Sequence, residues 1–337
     1  MTEVLHVNPE RPEPETIERA ASIIRRGGLV AFPTETVYGL GADAMNERAI
    51  RRIFEAKGRP ADNPLIVHVA SREMLSLVAE EVSYAAQQLI DRFWPGPLTL
   101  VLTRAPAVPG SVSAGLRTVA VRMPGNKIAL ELIRRAGTPI AAPSANASGR
   151  PSPTRAEHVI ADLGGRIDMV LDGGKTSIGV ESTVLDMTSD PPLILRPGWI
   201  TREALVQTIG PVKFCTAGQE LKRSPGTRYR HYSPRAVMIV IEKHTPEFIT
   251  KVCRDALASG PVGFIGHTPI DIEDEKFTCV ILDETETAYA AQIYSALREL
   301  DRKDPALIVV EGISDEGEGA AVMDRLRRAA SEIINHG

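Results

Sequence analysis

Cysteine is scarce in this 337-residue chain. Cys215, Cys253 and Cys279 lie far apart, no two of them at metal-ligand spacing, and their odd number argues against a disulfide framework. A reducing, cytoplasmic setting is therefore expected. Long apolar runs are lacking too. None approaches the roughly 20 residues that a membrane-spanning helix needs, and no membrane association is expected. The first twenty residues include Glu10, Arg11, Pro12, Glu13 and Pro14, which do not fit a signal peptide. Nor is there an excess of positive charge. Lys and Arg number 39 against 43 Asp and Glu, a net charge of −4. No global field draws such a chain onto nucleic acid, so any contact of that kind must be a local patch.

Several catalytic signatures are also missing. There is no nucleophile-elbow serine, no His-Glu-x-x-His and no paired-cysteine metal site. Gly173-Gly-Lys-Thr176 ends like a phosphate-binding P-loop, but the first glycine of that motif would fall on Met169. Gly317-Glu-Gly319 begins like a dinucleotide fingerprint, but Val322 takes the third glycine position. The missing nucleophile favours chemistry in which substrates react with one another while the protein positions them and neutralises charge.

What is present divides into two parts. The length allows two domains, each with its own core. In the first part, Ile17, Ala20, Ala21 and Ile24 share one face of a helix over Glu15–Arg26, which Gly27 and Gly28 stop. Leu29–Phe32 reads as a strand and Pro33–Gly41 as a loop. Asn46 is a candidate N-cap for a helix that ends at Gly58. Further strands are predicted at Leu65–Val69, Leu98–Thr103, Thr118–Met123, Ile140–Ala142, Met169–Leu171, Thr183–Met187 and Leu193–Leu195, with helices at Val82–Phe93 and Asn126–Ala136. The last two strands read as a hairpin over Ser189-Asp-Pro-Pro192. This irregular alternation predicts a mixed, twisted α/β sheet.

Residues Thr216–Arg235 have no apolar period and read as a linker. It is basic, with Lys222, Arg223, Arg228, Arg230 and Arg235 around Tyr229 and Tyr232. Beyond it, strands at Val237–Ile241, Val262–Ile265, Cys279–Leu282 and Leu307–Val310 alternate with helices at Pro246–Ala258, Thr287–Leu300 and Ala320–Ile334. That rhythm predicts a small parallel α/β domain.

Candidate chemistry gathers in three places. Lys57 extends the buried stripe of Ile50, Ile53 and Phe54 near a helix C-terminus. A lysine there either snorkels or, with Arg59, Asn63 and the glycine and prolines around them, meets a phosphate chain. Pro143–Pro153 follows a strand and offers Ser144, Asn146, Ser148 and Ser152 among small residues. It is either an ordinary polar loop or a ligand cradle at a strand's carboxyl end. In Thr118–Met123, alternation puts Thr118, Ala120 and Arg122 on one face. Arg122 is then an exposed edge-strand arginine or a carboxylate clamp. His68, in Leu65-Ile-Val-His-Val, reads as a core histidine.

Taken together, Pro33-Thr-Glu-Thr-Val-Tyr-Gly-Leu-Gly41, Lys57-Gly-Arg-Pro60, Asn63-Pro-Leu65, Trp94-Pro-Gly-Pro-Leu-Thr99, Pro143-Ser-Ala-Asn146, Ser148-Gly-Arg-Pro-Ser-Pro153 and Glu181-Ser-Thr-Val184 resemble the YrdC-like family. Ser224-Pro-Gly226, His231-Tyr-Ser-Pro234 and Gly319–Arg328 resemble its long, two-domain form, the threonylcarbamoyl-AMP synthases. The resemblance implies a YrdC-like catalytic domain over 1–215, a basic linker or lid over 216–235, and a smaller Rossmann-like α/β domain over 236–337. It implies synthesis of L-threonylcarbamoyl-AMP from L-threonine, bicarbonate and ATP, with magnesium accompanying ATP. The product would pass to the machinery that modifies adenosine beside the tRNA anticodon, with a weak direct tRNA contact. By the same resemblance Lys57 and Arg59 are catalytic and, with Asn63, Thr118, Ser144, Asn146, Ser152, Arg196 and Tyr232, hold ATP. Thr36, His68, Arg122, Ala142 and Ser182 would hold threonine. Two other readings stay open: an RNA-binding module using the arginines and tyrosines of the linker, and a carbamoyl-transfer enzyme of the same fold.

Overall fold

The computed structural model describes residues 1–215 and 231–335. Cα packing divides the chain into two units. One comprises Met1–Ser148 and Ser152–Tyr229, the other Gly149–Pro151 and Arg230–Gly337.

The first unit runs β1 (Glu3–His6), α1 (Pro14–Arg25), β2 (Val30–Pro33), β3 (Tyr38–Asp43), α2 (Glu47–Lys57), β4 (Ile66–His68), α3 (Arg72–Val78) and α4 (Tyr84–Phe93). It continues through β5 (Leu98–Thr103), β6 (Thr118–Arg122), α5 (Lys127–Ala136), β7 (Ile140–Ala141), α6 (Ala156–Leu163), β8 (Met169–Asp172), β9 (Thr183–Asp186), β10 (Leu193–Arg196), α7 (Arg202–Ile209) and β11 (Lys213–Phe214). The strands form one mixed sheet in the order β1-β8-β2-β3-β7-β4-β6-β5-β9-β10-β11. β4 and β6 are parallel, whereas β5 and β6 are antiparallel.

Local chemistry sets the helix ends. The Asn46 side chain accepts from the N–H groups of Arg48 and Ala49, and Gly58 closes α2 in the left-handed region at φ 60°. α1 starts on Pro14 and buries Ile17, Ala20, Ala21 and Ile24. In β2, Ala31 joins one apolar cluster while Val30 and Phe32 join another, so the sheet has helices on both faces. The cluster with Ala31 takes in α2 and α4, and the other takes in α1 and α5.

Two sequence expectations change. The segment read as a loop over Pro33–Gly41 is a hairpin, because Tyr38–Asp43 pairs antiparallel with β2. The glycines of this segment allow close packing: a Cβ on Gly41 would fall 2.7 Å from the Phe32 ring. The short or exposed elements β1, α3, α6, α7 and β11 carry too weak a period to be read.

The second unit contains β12 (Val237–Glu242), α8 (Pro246–Leu257), β13 (Val262–Gly266), β14 (Phe277–Ile281), α9 (Glu286–Arg302), β15 (Leu307–Glu311), α10 (Gly319–Ala329) and β16 (Glu332–Asn335). Its sheet is parallel throughout, in the order β14-β13-β15-β12-β16. The last helix is shorter than the sequence suggests. Ile333 and Ile334 continue its apolar pattern, but the chain leaves α10 at Ala330 and pairs with β12.

The predicted linker lies largely outside the described residues, including Lys222, Arg223, Ser224-Pro-Gly226, Arg228, Tyr229 and Arg230. Its last residues are packed into the second unit. Arg235 donates its N–H to Asp301 Oδ1 at 2.7 Å, and Ser233 Oγ donates to Ala329 O at 3.1 Å.

Candidate active site

Arg122 ends β6, which lies between β4 and β5 in the sheet interior. It is not an exposed edge-strand arginine, being only 3% exposed. Its face of the sheet is floored by Ile66, Val101, Ala120, Val184 and Leu195. Nε donates to Gly96 O at 3.1 Å and Nη1 to Thr36 Oγ1 at 3.0 Å, while Nη2 lies 2.7 Å from Glu35 Oε1. Thr36 Oγ1 is in turn 2.8 Å from Thr34 Oγ1. A guanidinium held away from water in this way needs such partners, since desolvation of a bare charge costs several kcal/mol.

His68 is the register partner of Arg122 on β4, so the two side chains share a face. Burial first, and the Arg122 charge second, pull its imidazole down to about 3. It is therefore neutral near pH 7. Its Nδ1 is buried and has no hydrogen-bond partner among the described residues, which departs from the satisfied core histidine expected from sequence. Ala142 follows β7 and donates its N–H to Ile66 O. Ser182 Oγ lies 2.8 Å from Thr99 Oγ1. Thr99 sits one step beyond the Leu100–Val121 pair, beside Arg122. Arg196 then clasps Ser182, with Nη2 3.0 Å from its carbonyl and 3.2 Å from its hydroxyl.

Lys57 joins the two loop stretches singled out as candidate ligand sites. Its Nζ donates to Ser144 O at 2.5 Å and to Asn146 O at 2.6 Å, and its own carbonyl accepts from Ser148 N–H. The side chain is buried, so it does not snorkel to water. Arg59 Nη2 donates to Pro64 O at 3.1 Å. Asn63 is fully buried, and neither end of its carboxamide has a partner among the described residues. Ser152 Oγ donates to Glu181 Oε1 at 2.5 Å, immediately before Ser182. Thr118 shares the Arg122 face but stands at the other end of β6, about 13 Å away by strand rise.

Tyr232 belongs to the second unit. Its ring stacks on Tyr294 at 5.8 Å, the Arg325 guanidinium lies 5.7 Å from its centroid, and its φ is 66°. A tyrosine in the left-handed region is strained, and those two neighbours hold it.

The arrangement offers a buried cation ringed by hydroxyls, and, on the same unit, two loops tied together by a lysine. The first suits a small carboxylate-bearing molecule. Residues 22–198 match the family model described as telomere recombination, and residues 200–331 match the one described as threonylcarbamoyl-AMP synthase, C-terminal domain. A threonylcarbamoyl-AMP synthase from Pyrococcus abyssi is 48% identical, over 98% of both chains. The chain belongs to the threonylcarbamoyl-AMP synthase family. One from Bacillus subtilis is 47% identical, over 93% of this chain and 92% of its own. The crystal structure of P. abyssi Sua5 complexed with L-threonine superposes with a TM-score of 0.95 at 46% identity, covering 100% of both chains.

Sequence reasoning about this family member missed Glu35, Thr99, Glu181 and the Gly96 carbonyl. All four lie inside quoted motifs, and a charge next to Thr36 was the available signal. The incomplete P-loop and dinucleotide motifs form no phosphate site. No helix follows β8, so Gly173–Thr176 opens no P-loop. At the start of α10 the Gly319 N–H already holds the Glu286 carboxylate at 3.1 Å.

Proposed function

We propose that this protein condenses L-threonine, bicarbonate and ATP into L-threonylcarbamoyl-AMP, releasing pyrophosphate and water. Its full-length likeness to curated threonylcarbamoyl-AMP synthases carries this reading. The product serves the threonylcarbamoyl modification of adenosine beside the tRNA anticodon, through a separate transfer machinery.

The residues fit the chemistry. The Arg122 guanidinium takes the threonine carboxylate, with the Thr36 and Ser182 hydroxyls and the neutral His68 imidazole around the rest of the molecule. The amine captures bicarbonate carbon as a carbamate with loss of water. A carbamate oxygen attacks the α-phosphate of ATP, and pyrophosphate leaves from the opposite side. No protein nucleophile is required.

Asn63, Arg59 and the Ser144–Asn146 loop receive ATP, and the unpartnered Asn63 carboxamide supports that assignment. Lys57 contributes a positive charge and fixes the loop through two carbonyls, so that the phosphates meet a preformed surface. Among the described residues no three His, Cys, Asp or Glu side chains stand close enough to hold a metal ion. Magnesium would come with the ATP phosphates. No helix of the described residues is long and apolar enough to cross a membrane.

The test is pyrophosphate release from ATP with threonine and bicarbonate each omitted in turn. Release should require both. Release that ignores either omission would refute the assignment.

A further inference from the structure

Glu35 is the least satisfied charge of the site. Its side chain is 13% exposed and its partner Arg122 4%. The 2.7 Å contact is a charge contact without hydrogen-bond geometry. Both Glu35 carboxylate oxygens and Arg122 Nη2 are buried and without a hydrogen-bond partner among the described residues. A buried carboxylate with no donor is costly, so its persistence calls for a ligand that supplies one.

The surroundings fix the carboxylate where it is. The Glu35 carbonyl accepts from Ile178 N–H at 2.8 Å and from Ser177 Oγ at 3.2 Å. Gly125 packs against the carboxyl group, at 3.4 Å from Oε1 to the place its Cβ would occupy. On Arg122, Nε and Nη1 each make one hydrogen bond, to Gly96 O and Thr36 Oγ1, which leaves N–H donors on both Nη atoms.

A guanidinium and a carboxylate side by side, each with hydrogen-bonding capacity left, form the complement of an α-amino acid zwitterion. We propose that Glu35 binds the α-ammonium of threonine while Arg122 binds its carboxylate, making Glu35 the residue that selects an amino acid over the same acid without its amine. An ammonium supplies three N–H donors to oxygens that have none. This inference rests on the threonine reading above.

Binding of two ligands to the full chain tests it: L-threonine, and 3-hydroxybutyrate, which is threonine without its amine. Glu35→Gln should weaken threonine about a hundredfold, as expected for breaking a buried ion pair. It should not weaken 3-hydroxybutyrate, because the analogue offers no ammonium and its carboxylate is repelled by Glu35. Glu35→Asp, which keeps the charge, should bind threonine better than Glu35→Gln. Equal losses for both ligands would mean that Glu35 only orients Arg122, and would overturn the proposal, as would unchanged threonine binding. If Glu35→Gln does not fold, as judged by thermal denaturation, the comparison of Glu35→Asp with wild type decides. In that case, selective loss of threonine supports the proposal and parallel loss of both ligands overturns it. Failure of the wild-type protein to bind threonine would instead overturn the threonine reading itself.

Discussion

The ammonium of Lys57 lies 2.6 Å from the carbonyl oxygen of Asn146, and so spans the two loops assigned to ATP. This buried contact makes Lys57 structural as well as electrostatic. Lys57→Met keeps the apolar stem but leaves the Ser144 and Asn146 carbonyls short of a donor, at about 1–3 kcal/mol each. A domain of this size should lose roughly 5–10 °C in Tm, together with threonine-dependent pyrophosphate release. Arg59 is half-buried, and its Nη2 donates to the Pro64 carbonyl at 3.1 Å. Arg59→Ala should lose ATP turnover with a Tm change of only about 1–2 °C. Equal Tm losses in the two variants would contradict this division of roles.

Arg122 meets three different oxygens through three different nitrogens, two by hydrogen bonds and one by a charge contact. A lysine at that position offers one compact ammonium and cannot reach Gly96 O, Thr36 Oγ1 and Glu35 from one geometry. Arg122→Lys is expected to raise the KM for threonine by about a hundredfold. The KM for ATP should change far less, since Gly96, Thr36 and Glu35 all lie outside the two ATP loops. Steady-state kinetics with each substrate varied separately would settle the matter, and a parallel rise in both KM values would contradict the assignment.

These contacts divide what the sequence reveals from what it hides. Asn46 and Gly58 mark the ends of α2 because capping is local chemistry, carried by one side chain and the two or three residues beside it. The period of two in Thr118–Arg122 puts Arg122 and Ala120 on one face for the same reason. The motifs carried the family. Neither the Glu35–Arg122 contact nor the target of the Lys57 ammonium has any local signature. Both join residues far apart in sequence, brought together only when β2, β3, β7, β4 and β6 assemble. Ile333 and Ile334 show the opposite failure, since two apolar residues fit a helix or a strand equally well until pairing with β12 decides.

Gly198 follows Arg196 by two residues and lies against the backbone of Ser182 and Thr183. A Cβ there would fall 2.2 Å from Thr183 N and 2.4 Å from Ser182 C, both rigid backbone atoms. Gly198→Ala must therefore push the chain apart, at a cost of about 1–3 kcal/mol or more. Displacing Ser182 would also loosen the Arg196 clasp and the link to Thr99. The variant should show a lower Tm and a higher KM for threonine. A variant with wild-type Tm would mean that this contact is looser than the geometry indicates.

His68 makes the stability of the fold depend on pH in a defined direction. Its imidazole titrates at about 3 in the folded protein, against an ordinary value of 6.5. Between those two values the unfolded chain carries a proton that the folded chain does not. Unfolding then takes up protons, so stability rises with pH across this window. The His68 contribution is complete above 6.5 and is lost as pH falls from there towards 3, with a limiting slope of about 1.4 kcal/mol per pH unit. His68→Gln removes the titration while keeping a polar side chain of similar reach. Urea midpoints measured from about pH 7 down to about pH 5 should fall less steeply in the variant than in wild type. Because His68 is neutral throughout the range in which the enzyme would work, it should add no step to the pH profile of threonine binding above about pH 5. Parallel urea curves for the two proteins would mean that His68 is not the group that burial and Arg122 keep from protonating.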